Sequence, residues 1–289
     1  MTIEIPARLD WLKGSGTGRT WLDGLPAAVE ACVERWELVL GAPFATAFTS
    51  LAMPATLPDG AEAVLKISFP DRESEHEALA LESWKGDGAV RLLDHDPALS
   101  ALLVERCIPG TPLSNMPQDA ALDVVAGLLR RLWIPASSPP FRALSDEAAW
   151  WTSHLRKNWI MAGRPFEERL LDAALDAMRV LPGSQGEPVL LHQDLHGDNV
   201  LRAEREPWLV IDPKPLVGER EFGLAPIVRS FEFGHGREDV RRRLDHLTSN
   251  LGVDRERARL WCVAQTVAWS IGSEYLPRHI ETATWLLEM

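Results

Sequence analysis

LHQDLHGDNVL (residues 191–201), with VIDP following at 210–213, is the stretch on which the reading of this chain turns. Strand-like residues run from Val189 to His192, from Asn199 to Arg202 and from Trp208 to Asp212. The polar cluster His192-Gln193-Asp194-Leu195-His196-Gly197-Asp198-Asn199 is therefore a short loop bracketed by apolar strands. Polar groups in that setting cost free energy unless they are used. Four residues separate Asp194 from Asn199, and Asp212 ends the next strand. Phosphoryl transfer to a hydroxyl needs a carboxylate to take the proton and oxygen ligands to hold magnesium, and this spacing supplies both. Asp194 is expected as the base, and Asn199 and Asp212 as the metal ligands. The simpler reading of the same residues is a polar turn held by Asx hydrogen bonds.

Working towards the N-terminus, Val64-Leu65-Lys66-Ile67 sets a lysine inside an apolar strand, where lysine is depleted. It is either a side chain reaching solvent from an edge or a cation bound to the phosphates of a nucleotide. The second use requires an acidic partner on the next helix. Of Glu73, Glu75, Glu77 and Glu82, Glu77 is expected, because it adjoins the apolar face of Leu79, Leu81 and Trp84.

Around these residues the chain changes character once. Residues 20–36 read as helix, and strands are expected at 36–41, 50–57 and 61–68, the last two joined by Pro58-Asp59-Gly60. A helix at 72–84 and strands at 90–94 and 101–106 follow. Pro109-Gly110 then breaks the chain, and helices at 118–133, 167–181 and 255–275 dominate, the last capped by Asp254. The order implies two lobes, residues 1–106 and 107–289, with a cleft at 106–110.

Taken together, RWEL (35–38), VLKI (64–67), GDGAVRLLDHD (86–96), LLVER (102–106), LHQDLHGDNVL and EREPWLVIDPKPLVGE (204–219) resemble the aminoglycoside phosphotransferase family, nearest the streptomycin 6-kinase and hydroxyurea phosphotransferase branch. The resemblance implies a bilobal, protein-kinase-like α/β fold. Its N-terminal lobe would be small and β-rich, and its C-terminal lobe larger and helical. It also implies a cytoplasmic enzyme that uses ATP and Mg2+ to phosphorylate a small molecule. It gives Asp194 the catalytic role, Asn199 and Asp212 the magnesium, and Lys66 with Glu77 the phosphate-holding ion pair. Arg106 to Ile108 would be the hinge whose backbone meets adenine, and Gly41 to Phe48 the turn over the phosphates. That turn lacks the G-x-G-x-x-G of protein kinases. Pro213-Lys214 stands where they carry Phe-Gly, and no A-P-E follows, so a switchable activation segment is not expected.

Several features compete with this reading. Gly14-Ser15-Gly16-Thr17-Gly18 lacks the strand and the Gly-Lys-Ser/Thr of a phosphate loop, and reads as a linker that caps the next helix. His192, Asp194, His196 and Asp198 alternate as metal ligands of a hydrolase could, but His154, His235 and His246 lie in separate contexts. His192 is expected instead as a neutral, buried imidazole holding the loop. A nucleotide-binding protein without catalysis is a further class, disfavoured by the full set of catalytic groups. Trp150, Trp151 and Trp159 are the tryptophans expected nearest the substrate, and Glu219, Glu221, Glu232 and Glu274 the carboxylates. Arg241-Arg242-Arg243 reads as a solvated helix face.

The bulk numbers limit the partners. A net charge of −12 argues against nucleic acid and suits a cationic substrate such as an aminoglycoside, although acidic chains are also simply soluble. Cys32, Cys107 and Cys262 form no framework, which fits a reducing compartment. No signal peptide, no membrane span and no obligate protein partner are expected.

Overall fold

Ser15 opens the first long helix of the computed structural model, which describes residues 3–289. Met1 and Thr2, where the expected first lobe begins, lie outside the described residues. The Ser15 side chain accepts the Gly18 amide at 2.9 Å, so α1 (Gly16–Trp36) begins inside the glycine-rich run rather than after a linker. The helix continues through Trp36. Only β1 (Val39–Leu40) therefore remains of the strand expected at 36–41.

The chain divides into two compact units, the first reaching Gly110 and taking in Ala203–Arg205. Its sheet contains β1, β2 (Ser50–Thr56), β3 (Glu62–Ser68), β4 (Leu92–Asp96) and β5 (Ala101–Glu105), in the antiparallel order β1-β2-β3-β5-β4. Strand alternation decides its two faces. Leu51, Met53, Ala55, Ala63, Leu65, Ile67, Ala101 and Leu103 join Leu22, Leu25, Val29 and Cys32 of α1 in one core. Lys66, paired in register with Ala52 and Leu102, falls on the opposite face. The charged helix starts late, as α2 (Glu77–Trp84), because Asp71 Oδ1 accepts the amides of Glu73 and Ser74 and holds a turn ahead of it.

The second unit runs from Thr111, without Ala203–Arg205, to the C-terminus. Its helices are α3 (Gln118–Leu132), α4 (Leu144–Met161), α5 (Glu168–Val180), α6 (Ala225–Arg229), α7 (Arg237–Leu251), α8 (Arg255–Ala268) and α9 (Leu276–Leu287). Asp254 caps α8, accepting the Arg257 amide at 3.0 Å. The helix expected to reach 275 ends at Ala268, and α9 is separate. Two antiparallel strand pairs lie among the helices: β6 (Val189–Leu191) with β9 (Leu216–Gly218), and β7 (Val200–Arg202) with β8 (Trp208–Val210). No helix of the described residues is long and apolar enough to cross a membrane.

One expectation is corrected in α7. Arg241 and Arg242 are exposed, but Arg243 is fully buried. Its guanidinium donates to the carbonyls of Val228, Phe233 and Gly234 and to Gln118 Oε1, at 3.0–3.2 Å. Helical periodicity turns one arginine of the three inward, and loop carbonyls there need a donor. Arg243→Met should therefore cost about 2–4 kcal/mol of stability, because buried acceptors lose their partner. Urea denaturation measures this, and a loss below about 1 kcal/mol would show that those carbonyls find other donors.

Candidate active site

The first unit contributes one buried ion pair. Lys66 Nζ lies 2.6 Å from both Glu77 carboxylate oxygens, and the two side chains are 10% and 4% exposed. A lysine so far out of water keeps its charge only beside a carboxylate, and α2 begins with that carboxylate. Arg106 and Ile108 follow the end of β5. The Arg106 guanidinium is taken by Glu62, and Ile108 is half-buried. Just before them, Glu105 binds Arg205 through Nε at 2.8 Å and Nη2 at 2.9 Å, and Arg205 also donates to the carbonyls of Gly86 and Ala89. Burial would raise the Glu105 carboxyl, but Arg205 and the Arg91 amide outweigh it and hold it below its ordinary value. The turn Gly41 to Phe48 is pinned at both ends. Gly41 donates to the Pro54 carbonyl, and the Phe48 ring stacks on Trp11, whose indole N–H meets the Phe48 carbonyl.

The second unit builds a loop that closes on itself. After β6, His192 Nε2 donates to the Ile211 carbonyl at 2.9 Å, while Nδ1 accepts the Asp194 amide at 3.4 Å. Burial pushes this imidazole down to about 4, so it is neutral, with its proton on Nε2. The Asn199 amide nitrogen donates to the Asp194 carbonyl at 3.0 Å, and the Ile211 and Lys214 amides donate to the carbonyls of Asn199 and His192. Gln193 and Asp212 adopt left-handed backbone, with φ of 62° and 57°. Such residues persist only where the surroundings over-determine them.

The Asp194 carboxylate sits at the centre of this loop and is 12% exposed. Lys214 Nζ lies 3.0 Å from its Oδ2, and Arg229 Nη2 lies 3.5 Å from its Oδ1. Burial would raise its pKa, but Lys214, His196 and Arg229 together hold it below the ordinary value. Both cations also lie against one ring, with Lys214 Nζ 4.9 Å and Arg229 Cζ 4.6 Å from the Trp269 centroid. Glu232 braces the loop from beneath. It binds His196 Nδ1 at 2.6 Å, the Gly197 amide at 2.5 Å and Ser230 Oγ at 2.9 Å. A Cβ on Gly197 would lie 2.5 Å from Glu232 Oε2 and 2.7 Å from the Phe233 ring, so only glycine admits this approach. Burial works against a charge on His196, but the Glu232 bond and the Asp194 carboxylate raise its pKa above the ordinary value.

The alternating quartet does not form one cluster, as the sequence reading held: His196 and Asp198 gather with Glu232, while His192 and Asp194 point to other partners. Other expectations change. Trp151 and Trp159 are buried, and Trp150 is exposed and stacked on His154, because helical periodicity sends the first two into the core. Glu219 is also internal, bound by Trp261 Nε1 and Arg257 Nε, and Glu221 accepts the Asp254 amide. Lys214, Arg229 and Trp269 were missed as a group. The one local signal was a lysine two residues after Asp212.

Comparison with known proteins adds the lineage. The family model described as aminoglycoside/hydroxyurea antibiotic resistance kinase matches residues 35–272. A streptomycin 6-kinase of Streptomyces griseus is 40% identical, over 89% of this chain and 87% of the relative. A hydroxyurea phosphotransferase of Kitasatospora aureofaciens is also 40% identical, over 99% of this chain and 86% of the relative. Among solved structures, a choline kinase from Streptococcus pneumoniae covers 92% of this chain and 99% of its own, with TM-score 0.67 and 15% identity. An aminoglycoside phosphotransferase in ternary complex with ADP and hygromycin B covers 90% and 96%, with TM-score 0.64 and 14% identity. The fold is the bilobal protein-kinase-like one.

A pH dependence follows from two neutral imidazoles. His192 is pushed down to about 4, and His279, buried against Phe231, to about 3. In the unfolded chain both titrate near 6.5. Between those values the unfolded state binds protons that the folded state refuses, so stability should fall as pH drops from about 6.5 towards 4. Thermal melts across this range measure the fall. His279→Gln should flatten it, and an unchanged slope would exclude His279 as a contributor.

Proposed function

The chain belongs to the aminoglycoside/hydroxyurea antibiotic resistance kinase family, and from that premise we propose that it transfers the γ-phosphoryl group of ATP to a hydroxyl of a streptomycin-like aminoglycoside. The observation that carries this reading is the Asp194 loop, in which the residue bearing a buried, charged carboxylate accepts the Asn199 side-chain amide on its backbone carbonyl, with Asp212 two residues past the end of β8.

In this reading the first lobe, 1–106, handles the nucleotide, and the second, 107–289, carries catalysis and the acceptor. Lys66, held by Glu77, binds the phosphates, and the backbone of Arg106 to Ile108 meets the base. The donor set suits magnesium: the Asn199 amide nitrogen is used on Asp194, which leaves its carbonyl oxygen as the ligand atom, and Asp212 supplies a carboxylate. When bound, magnesium neutralises charge on the phosphates. The acceptor oxygen forms a bond to the γ-phosphorus as the bond to the bridging oxygen breaks. ADP leaves with that electron pair, and the hydroxyl proton passes to Asp194. Its low pKa makes Asp194 a weak base, so its main work is to aim the hydroxyl, with the proton transferred late. Three free cysteines support a reducing, cytoplasmic setting.

Hydroxyurea is the second reading, favoured by 40% identity to a hydroxyurea phosphotransferase over 99% of this chain. A coupled ADP-release assay with streptomycin, hydroxyurea and amino sugars decides between them. Turnover is expected with streptomycin, and turnover with hydroxyurea alone would reverse the assignment. Asp194→Ala should lower kcat by about 10²–10⁴ while nucleotide binding persists, and residual activity above about a tenth would remove Asp194 from its role. Lys66→Met should weaken ATP binding, measured by calorimetry. Unchanged affinity would detach that lysine from the phosphates.

A further inference from the structure

We infer that the first unit holds a second ligand site, a cavity beside α2 that takes a small organic cation with an apolar body and couples its occupancy to the Lys66–Glu77 pair. The coupling rests on the reading of Lys66 as the phosphate-binding lysine and extends it; the site itself does not depend on that reading.

Helix α2 packs with one side and walls the cavity with the next. Glu77, Ala80, Leu81 and Trp84 are buried. Ala78, Leu79 and Glu82 are spaced to share one face, and they line a cavity of about 780 Å³ together with Ser68 of β3 and Leu102 of β5. The turn between β4 and β5 closes the far side with His95, Asp96 and Pro97. A volume of this size is that of a small-molecule site. Strand register explains its place. Lys66 pairs with Leu102, so both lie on the sheet face opposite the α1 core, and Ser68, two residues beyond Lys66, lies on that face as well.

Ser68 is the polar group on this wall that the fold itself does not use. It is 7% exposed, and its hydroxyl oxygen has no hydrogen-bond partner among the described residues. A buried hydroxyl left unpaired is destabilising, and a donor that reaches it from the cavity removes that cost.

The wall also selects the sign of the ligand. Among the described residues on it, five are carboxylates, Asp71, Glu75, Glu77, Glu82 and Asp96, against one arginine, Arg72. Glu77 is held by Lys66, Asp96 by Arg35, and Asp71 by the amides of Glu73 and Ser74. Glu75 and Glu82 are exposed, so a cation that enters can reach them. Exposed ion pairs contribute little by themselves, so charge alone does not fix a ligand here. Ala78, Leu79 and Leu102 supply the rest, because an apolar body laid against them leaves water. The class that fits is a primary amine carrying a hydrocarbon group, rather than a bare polyamine or an anion. Its ammonium donates to the glutamates and to the Ser68 hydroxyl.

Occupancy reaches Lys66 through Glu77, which lines the cavity and binds Lys66 Nζ with both oxygens. With eight residues, α2 is too short to be stable by its own hydrogen bonds, so its place depends on what packs against it. A ligand bearing on Ala78 and Leu79 adds to that packing and binds better when α2 is in place. It therefore favours the Lys66–Glu77 pair, and a nucleotide that needs the pair favours the ligand in return.

The test uses the full chain and three amines, each beside its uncharged alcohol: hexylamine with hexanol, 2-phenylethylamine with 2-phenylethanol, and cyclohexylmethylamine with cyclohexylmethanol. By calorimetry, at least one amine should saturate a single site with a Kd of about 1 mM or tighter. Its alcohol should bind at least about three-fold more weakly. Glu82→Gln and Ser68→Ala should each weaken that amine about three-fold. Ala78→Trp, which fills the cavity, should abolish its binding. The Mg2+ complex of a non-hydrolysable ATP analogue should tighten amine binding about five-fold, and the amine should tighten the analogue by the same factor. Absence of any saturable amine, equal affinity for amine and alcohol, or unchanged binding in all three variants would overturn the site. Amine binding with unchanged analogue affinity would overturn the coupling. Should Ala78→Trp fail to fold, Glu82→Gln and Ser68→Ala decide, and unchanged binding in both overturns the site. Amine binding needs no turnover. A chain that binds amines at this cavity but transfers no phosphoryl group loses the kinase reading alone, and one that transfers it but ignores amines loses this inference alone.

Discussion

Keeping Asp194 charged inside the protein is the constraint around which the second unit is arranged. A carboxylate taken out of water becomes harder to ionise, and at Asp194 that tendency is overcome by Lys214, His196 and Arg229. None of the three helps unless the backbone brings it within reach. For Lys214 and His196 the loop between the strand pairs β6–β9 and β7–β8 does this, through hydrogen bonds between its two halves: His192 to Ile211, Ile211 to Asn199, Lys214 to His192; Arg229 comes from the end of α6. The left-handed turns at Gln193 and Asp212 are the conformational cost of that arrangement.

The first unit solves the opposite problem with the same physics. Lys66 is a cation on a sheet whose other face carries the apolar core packed on α1, and the strand period leaves it no choice of side. Burial is tolerable because α2 begins with Glu77, which binds the ammonium with both oxygens. Removing either partner from such a pair typically costs about 3–5 kcal/mol, since the survivor is left charged in a dry site. The pair is therefore held in one defined place by both partners.

Glu232 shows how a carboxylate outside the reacting groups can matter. It collects His196, the Gly197 amide and Ser230, and so ties α6 and the chain after it to the loop that carries Asp194. Gly197 is the enabling residue, because a side chain there would occupy the space of the carboxylate. The acidity read from composition thus serves internal bracing at Glu219 and Glu232, and gives little guidance to the lining of a substrate site.

Local regularities in the chain were enough to specify the element order of the first unit, the hairpin at Pro58-Asp59-Gly60, a cap within residues 14–18, the cap at Asp254 and the spacing of Asp194, Asn199 and Asp212, because each depends on neighbours within a few residues; four helices of the second unit, α4, α6, α7 and α9, were not among those expected. Pairing Lys66 with Glu77 was also legible, since a strand and the next helix are close in sequence and Glu77 adjoins the apolar face. The partners of Asp194 were decided by tertiary structure. Arg229 and Trp269 stand 35 and 75 residues beyond it, and nothing in their own surroundings marks them. The same holds for Arg243, one of three adjacent arginines, turned inward by where α7 docks. Periodicity and propensity say which face of an element is apolar; which distant polar groups meet depends on how the packed elements return in space, and that is settled only by the fold.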